Sequence, residues 1–158
     1  MRKLIVLLLV LLTACSSTTQ PYEKPEINSV YYEIYVGSFY DSNGDGKGDL
    51  MGVVEKLDYI QKELGATGIW LMPISPSPSY HKYHVMDYTA IDPQYGTMED
   101  FDTLVQEMKD RDMDLILDLV LNHSSREHPW FLEAVEGMKS GQCTDKCDYY
   151  TFSETPKA

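Results

Sequence analysis

The sequence predicts an α/β fold built on a parallel sheet, and three observations point to it. Three stretches, "SVYYEIYVGSFY" (29–40), "TGIWLMPI" (67–74) and "DLILDLVLNH" (114–123), are short and dense in aliphatic, β-branched or aromatic residues. Such runs suit a pleated strand, and the second and third read as strands buried on both faces. Between them, apolar residues recur at the spacing of an amphipathic helix. The connections are short, and strands alternating with helices make βαβ units whose strands run parallel.

Each element has its own signature. After the first strand, the acidic, glycine-rich loop "DSNGDGKGDL" (41–50) leads to Val54, Leu57, Ile60 and Leu64, a helix that Gly65 stops. A Pro/Ser-rich loop follows the second strand. Thr97 with Asp100 forms a capping-box pattern, and Phe101, Leu104, Val105 and Met108 then mark one face of a second helix. The tail from residue 124 to 158 reads as irregular. Three strands of central character and two helices cannot cover both sheet faces or satisfy both edges, so the chain reads as part of a larger sheet.

The first 15 residues stand outside this pattern. Arg2 and Lys3 precede the apolar run "LIVLLLVLL" (4–12), far short of the ~20 residues a membrane-spanning helix needs. This is the pattern of a secretory signal. "LTAC" (12–15) resembles the cleavage site of bacterial lipoproteins, which implies that Cys15 becomes a lipidated N-terminus; ordinary signal cleavage nearby is the alternative. Residues 16–28 are a polar tether rich in Ser, Thr and Pro. The expectation is an exported lipoprotein held to a membrane by its N-terminal lipid, on the cell surface or facing the periplasm. In that oxidising setting Cys143 and Cys147, spaced C-x3-C, read first as a local disulfide. Two free thiols stay open, and a metal pair is weaker because no second Cys/His pair follows at zinc-like spacing.

The formal charge of −12 becomes −14 when Arg2 and Lys3 leave with the signal, since residues 1–15 hold no acid. Such acidity argues against a nucleic-acid partner. It is compatible with a bound cation and a neutral substrate.

In the opening loop Asp41, Asn43, Asp45, the Lys47 carbonyl and Asp49 offer oxygens at positions 1, 3, 5, 7 and 9, with Gly46 at 6. That is the ligand spacing of an EF-hand calcium loop. Position 12 is Gly52 rather than glutamate, and a strand precedes the loop, so an EF-hand is excluded.

"DLVLNH" (118–123) closes the third strand and resembles the first conserved region of the α-amylase family, glycoside hydrolase family thirteen. "YHKYHVMDY" (80–88), "IDPQYGT" (91–97) and "HPWF" (128–131) follow that family's order and spacing. One such motif is weak; four in order, with the right strands between them, are specific. The resemblance covers about residues 29–152 and implies the first three strands of a (β/α)8 barrel over 29–123. Residues 124–158 would begin the domain inserted after strand three.

The resemblance implies that Tyr83 stacks on a sugar ring and that His81 and His123 hydrogen-bond its hydroxyls. It gives Asn122 a calcium ion that pins the third-strand loop, and makes Asp87 and Asp118 anchors behind the site; as plain carboxylates, both also suit strand ends. It assigns the 41–49 loop a Ca2+ ion, as in oligo-1,6-glucosidase-like members. Tyr80 stands where exo-acting members have an aspartate, and with His81 two residues before Tyr83 the loop resembles endo-acting amylases more closely; Lys82 replaces the usual glycine, as in neighbouring subfamilies. The implied function is retaining hydrolysis of α-glucosidic bonds in starch, maltodextrin or related α-glucans. The family's nucleophile, acid/base and third carboxylate belong to strands four, five and seven, so no catalytic residue is assigned in this chain. The fragment alone reads as inactive. A non-catalytic, calcium-stabilised glucan-binding lipoprotein and a family glucanotransferase are the alternatives.

Overall fold

The computed structural model describes residues 29–153; the signal segment, Cys15 and the tether lie outside the described residues. Strands β1 (Tyr31–Ile34), β2 (Gly68–Leu71) and β3 (Asp114–Leu117) form one parallel sheet in the order β1-β2-β3. Tyr31 pairs with Gly68 and Gly68 with Asp114, so the three strands start level. Helix α1 (Leu50–Asp58) crosses from β1 to β2 and α2 (Met98–Asp110) from β2 to β3. The result is the open, first part of a (β/α)8 barrel.

Burial explains the layering. Ile34, Ile69 and Leu71 of the sheet meet Leu50, Val53 and Leu57 of α1, Ile60 just beyond it, and Leu104 and Met108 of α2, none more than 1% exposed. Each such side chain stabilises the fold by roughly 1.5–3 kcal/mol. The cross-strand row Glu33, Trp70 and Ile116 lies exposed on the opposite face. In a closed barrel that face is the interior.

The strands are shorter than their apolar runs. β1 gives way to a 3-10 turn at Val36–Ser38, and β3 stops at Leu117, leaving residues 118–123 as a loop. The predicted third-strand run is also not buried throughout: Ile116 and Leu117 of β3, and Leu119 and Leu121 in the loop beyond it, are 39–79% exposed, while Leu115 packs against the core. The cause is its edge position, because among the described residues no further strand pairs with it.

Two helix readings need correction. A π-helical turn, Tyr59–Glu63, continues α1, and its extra residue rotates the helix end about its axis. Leu64, predicted on the buried stripe, is therefore 42% exposed while Ile60 is fully buried. Gly65, at φ +70°, ends the helix in the left-handed conformation. The tail is not irregular either: α3 (Pro129–Ser140) is a 12-residue helix with His128 as N-cap, Pro129 in its first turn and Gly141 at φ 71° after it. A 3-10 turn, Asp145–Tyr149, packs against it. The predicted capping box is present, with Thr97 and Asp100 exchanging side chain-to-backbone bonds at the start of α2.

Close backbone approaches fix the loop between β1 and α1. A Cβ on Gly52 would lie 2.0 Å from the Tyr40 carbonyl oxygen, and one on Gly48 1.9 Å from that of Val36. Gly52→Ala in the full-length protein is expected to cost about 1–3 kcal/mol by overpacking, read as a lower urea midpoint. Gly44→Ala, where an added Cβ meets open space but φ is +81°, should cost about 1–2 kcal/mol through the backbone conformation alone.

Candidate functional site

The site forms where β2 and β3 end. Asp118 directly follows β3, and its N–H donates to the Leu71 carbonyl at 3.1 Å, which keeps it level with the end of β2. Its carboxylate accepts twice: Oδ1 from the Trp70 indole N–H at 2.8 Å, and Oδ2 from the Tyr83 hydroxyl. That hydrogen bond, with some burial, pushes the Tyr83 pKa up to about 12. Tyr83 therefore remains a neutral phenol, its ring set by the far end of its side chain.

Histidines gather around it. The His81 Nδ1 accepts from the Tyr83 backbone N–H at 3.1 Å, so the proton of a neutral His81 sits on Nε2. The His123 Nε2 lies 3.1 Å from the Tyr83 carbonyl oxygen and donates to it. His84 joins His81, with ring centroids 5.0 Å apart, to His123, 6.2 Å away. Sequence reasoning brought forward His81, Tyr83 and His123, which the structure places together, and missed His84. Its presence inside "YHKYHVMDY" was the available signal.

The two predicted anchors separate. Asp118 holds Tyr83, whereas Asp87 is exposed and bonds the Thr89 hydroxyl and N–H at 2.7 and 2.8 Å. Those bonds, the hydroxyl's first, hold its carboxyl below the usual range. Asp87 thus closes a local turn. Tyr88 does the anchoring instead: its hydroxyl reaches the carbonyl oxygens of Val120 and His123, both at 2.9 Å. It ties the His123 loop to the loop that carries Tyr83. Beyond it opens a cleft of about 510 Å³ lined by Tyr88, His123, Trp130, Phe131 and Tyr150 among others.

Lys82, between His81 and Tyr83, adopts φ +64°. For an ordinary residue the left-handed conformation costs roughly 1–2 kcal/mol, a cost that glycine would not carry. Its side chain runs into the protein: Nζ meets Asp92 Oδ2 at 2.7 Å and Gln94 Oε1 at 3.1 Å, and stands 5.1 Å from the Tyr95 ring centroid. Both charged groups are almost fully buried.

In the acidic loop the predicted ligands act first as turn formers. The Asp41 carboxylate accepts from the N–H groups of Gly44, Asp45 and Gly46, Asn43 Oδ1 from Asp45, and Asp45 Oδ1 from Lys47. The bond from Gly46 leads in holding the Asp41 carboxyl below its ordinary pKa. Asp49 is buried and caps α1, accepting from Gly52 N–H at 2.6 Å and from the Ser42 hydroxyl at 2.8 Å. Among the described residues no group of three His, Cys, Asp or Glu converges as metal ligands. The donors of Asp41, Asn43, Asp45, Lys47 and Asp49 are nonetheless all hard oxygens, and the folded loop keeps Asp41 ionised, so their chemistry fits calcium. Asn122 is exposed, its amide 3.4 Å from His123 Nδ1. Cys143 and Cys147 lie with sulfurs 2.31 Å and Cα atoms 5.8 Å apart in a disulfide beside α3.

A family model described as "Alpha amylase, catalytic domain" matches residues 33–158. The chain belongs to the α-amylase family. "Alpha-amylase 3" of Dictyoglomus thermophilum is 46% identical over 94% of this chain and 28% of its own length. "Glucan 1,6-alpha-glucosidase" of Streptococcus pneumoniae is 50% identical over 82% of the chain and 23% of its own. Among solved structures, Eubacterium rectale Amy13B superposes with a TM-score of 0.75 at 53% identity, covering 80% of this chain and 26% of that one. The chain thus spans about a fifth to somewhat over a quarter of the length of the relatives it matches.

A pH test comes from the α3 cap. His128 is buried and its Nδ1 accepts from the Trp130 N–H at 3.1 Å, which requires the neutral ring. Burial lowers its pKa from the ordinary 6.5, outweighing the nearby Asp87 charge. The unfolded chain therefore takes the proton first. The stability from this cap is full above about pH 6.5 and is lost as pH falls from there through the folded-state value. In the full-length protein His128→Asn, a cap that does not titrate, should show a smaller fall in Tm between pH about 7 and about 5 than the wild type.

Proposed function

We propose that the full protein is a glycoside hydrolase that cleaves α-glucosidic bonds of starch, maltodextrin or related α-glucans with retention, and that this chain forms the wall holding one sugar ring. The observation carrying the reading is Tyr83, fixed by Asp118 with His81 and His123 beside it, at the strand ends where barrel enzymes act. An aromatic face suits the C–H face of a pyranose. The His81 Nε2–H can donate to a sugar hydroxyl, orienting the ring while Tyr83 excludes water from one side.

The two carboxylates of a retaining enzyme are assigned to later barrel strands. Asp118 is committed to Trp70 and Tyr83, and Glu133 accepts from Thr144 at 2.7 Å on α3. Calcium would be held by Asp41, Asn43, Asp45, the Lys47 carbonyl and Asp49, cross-linking the loop between β1 and α1 that glycines already hold close. Asn122 would give its carboxamide oxygen to a second ion beside the third-strand loop. Export and anchoring through a lipidated Cys15 complete the reading.

Purified full-length protein should hydrolyse soluble starch or a nitrophenyl maltooligosaccharide, and Tyr83→Ala should lower kcat/KM about thirtyfold, equivalent to about 2 kcal/mol of transition-state binding. No turnover by the wild type on any α-glucan would leave the glucan-binding reading. Calorimetry on chelator-treated protein should show Ca2+ binding that Asp45→Ala weakens; unchanged binding would count against the loop. Cys15→Ala should move the protein out of the membrane fraction.

A further inference from the structure

We infer that Lys82 is a positioning residue: its buried ammonium, paired with Asp92, holds the turn that aims His81 and Tyr83. The claim that these rings meet sugar rests on the function proposed above.

The geometry makes Lys82 the centre of that turn. Its N–H donates to the Ser79 carbonyl at 3.2 Å, and the next N–H, that of Tyr83, donates to the His81 ring at 3.1 Å. The ring directions of both neighbours are therefore set by the φ of +64° at Lys82. A side chain in that conformation persists only where its surroundings impose it. Here they do, because the ammonium enters a knot that joins separate stretches. Asp92 Oδ2 accepts from Lys82 and from the Ser77 N–H, while Oδ1 accepts from the Gln94 N–H. Asp92 N–H donates to the Ile74 carbonyl and Leu50 N–H to that of Tyr95. The turn is thus bolted to the end of the β2 segment and to the start of α1. Glycine would adopt the same backbone angle but supply no bolt.

Removing one partner of a buried pair leaves the other charge uncompensated, so two variants of the full-length protein are used: Lys82→Met, and Lys82→Met with Asp92→Asn, which removes both charges. Amide hydrogen exchange in residues 79–84 should accelerate at least about tenfold in both, with α1 and α2 unchanged. Hydrolysis of a nitrophenyl maltooligosaccharide should lose about tenfold or more in kcat/KM, since small misplacements of orienting groups are costly. In a background lacking both rings, His81→Ala with Tyr83→Ala, the Lys82→Met change should add almost nothing, because it acts through them. A merely structural role would multiply the two losses in full. That multiplication, or unchanged exchange at 79–84, would overturn the inference. Absence of α-glucan turnover by the wild type would refute the functional reading instead, and the exchange comparison would still decide whether Lys82 fixes the turn.

Discussion

The carboxylate of Asp118 joins the parts on which the site depends. It lies just after β3, and the pairing of β3 with β2 brings it beside Trp70, whose indole N–H it accepts. Its other oxygen takes the Tyr83 hydroxyl from the loop after β2. Both carboxylate oxygens are engaged, one by an indole N–H and the other by a phenol O–H. Sheet register thereby becomes the position of an aromatic ring several residues from any strand.

Around that joint the loops brace one another. Tyr88 binds the 118–123 loop by two carbonyls, His123 returns to the Tyr83 backbone, and Lys82 secures the turn between His81 and Tyr83 from below. The rings of Tyr83, His81 and His123 are placed by polar bonds that range from the buried Lys82–Asp92 pair to the exposed contact of His123 with the Tyr83 carbonyl. The sheet supplies the rest asymmetrically. One face is packed by α1 and α2, and the other, carrying Glu33, Trp70 and Ile116, is left exposed for the remainder of a barrel.

Much of this was legible in the sequence because it rests on strong local rules. Apolar runs announced the strands, Thr97 and Asp100 the start of α2, and Gly65 the end of the first helix. The features that stayed hidden depended on long-range partners or on a one-residue shift. Apolar runs continue past strand ends because loops also pack inward, so Val36 and Val120 are buried outside any strand. The π-helical turn that exposes Leu64 leaves no compositional mark. Helix α3 carried marks, Pro129 in its first turn and Gly141 after it, yet its mixed polarity hid the period. In the site, His81, Tyr83 and His123 came from motif order. The roles of Tyr88 and Lys82 required knowing which carbonyl or carboxylate lies opposite, and Asp49 was readable as an oxygen donor but not as the cap of α1.

The central claim is that Tyr83, held by Asp118, is the surface on which a glucan ring rests. A crystal structure of the full-length protein with a bound maltooligosaccharide tests it most directly. The account predicts a pyranose lying on the Tyr83 ring, its hydroxyls within hydrogen-bond distance of His81 and His123, and the Tyr83 hydroxyl still on Asp118. An oligosaccharide seated away from Tyr83, or a Tyr83 swung off Asp118 to bind it, would contradict it.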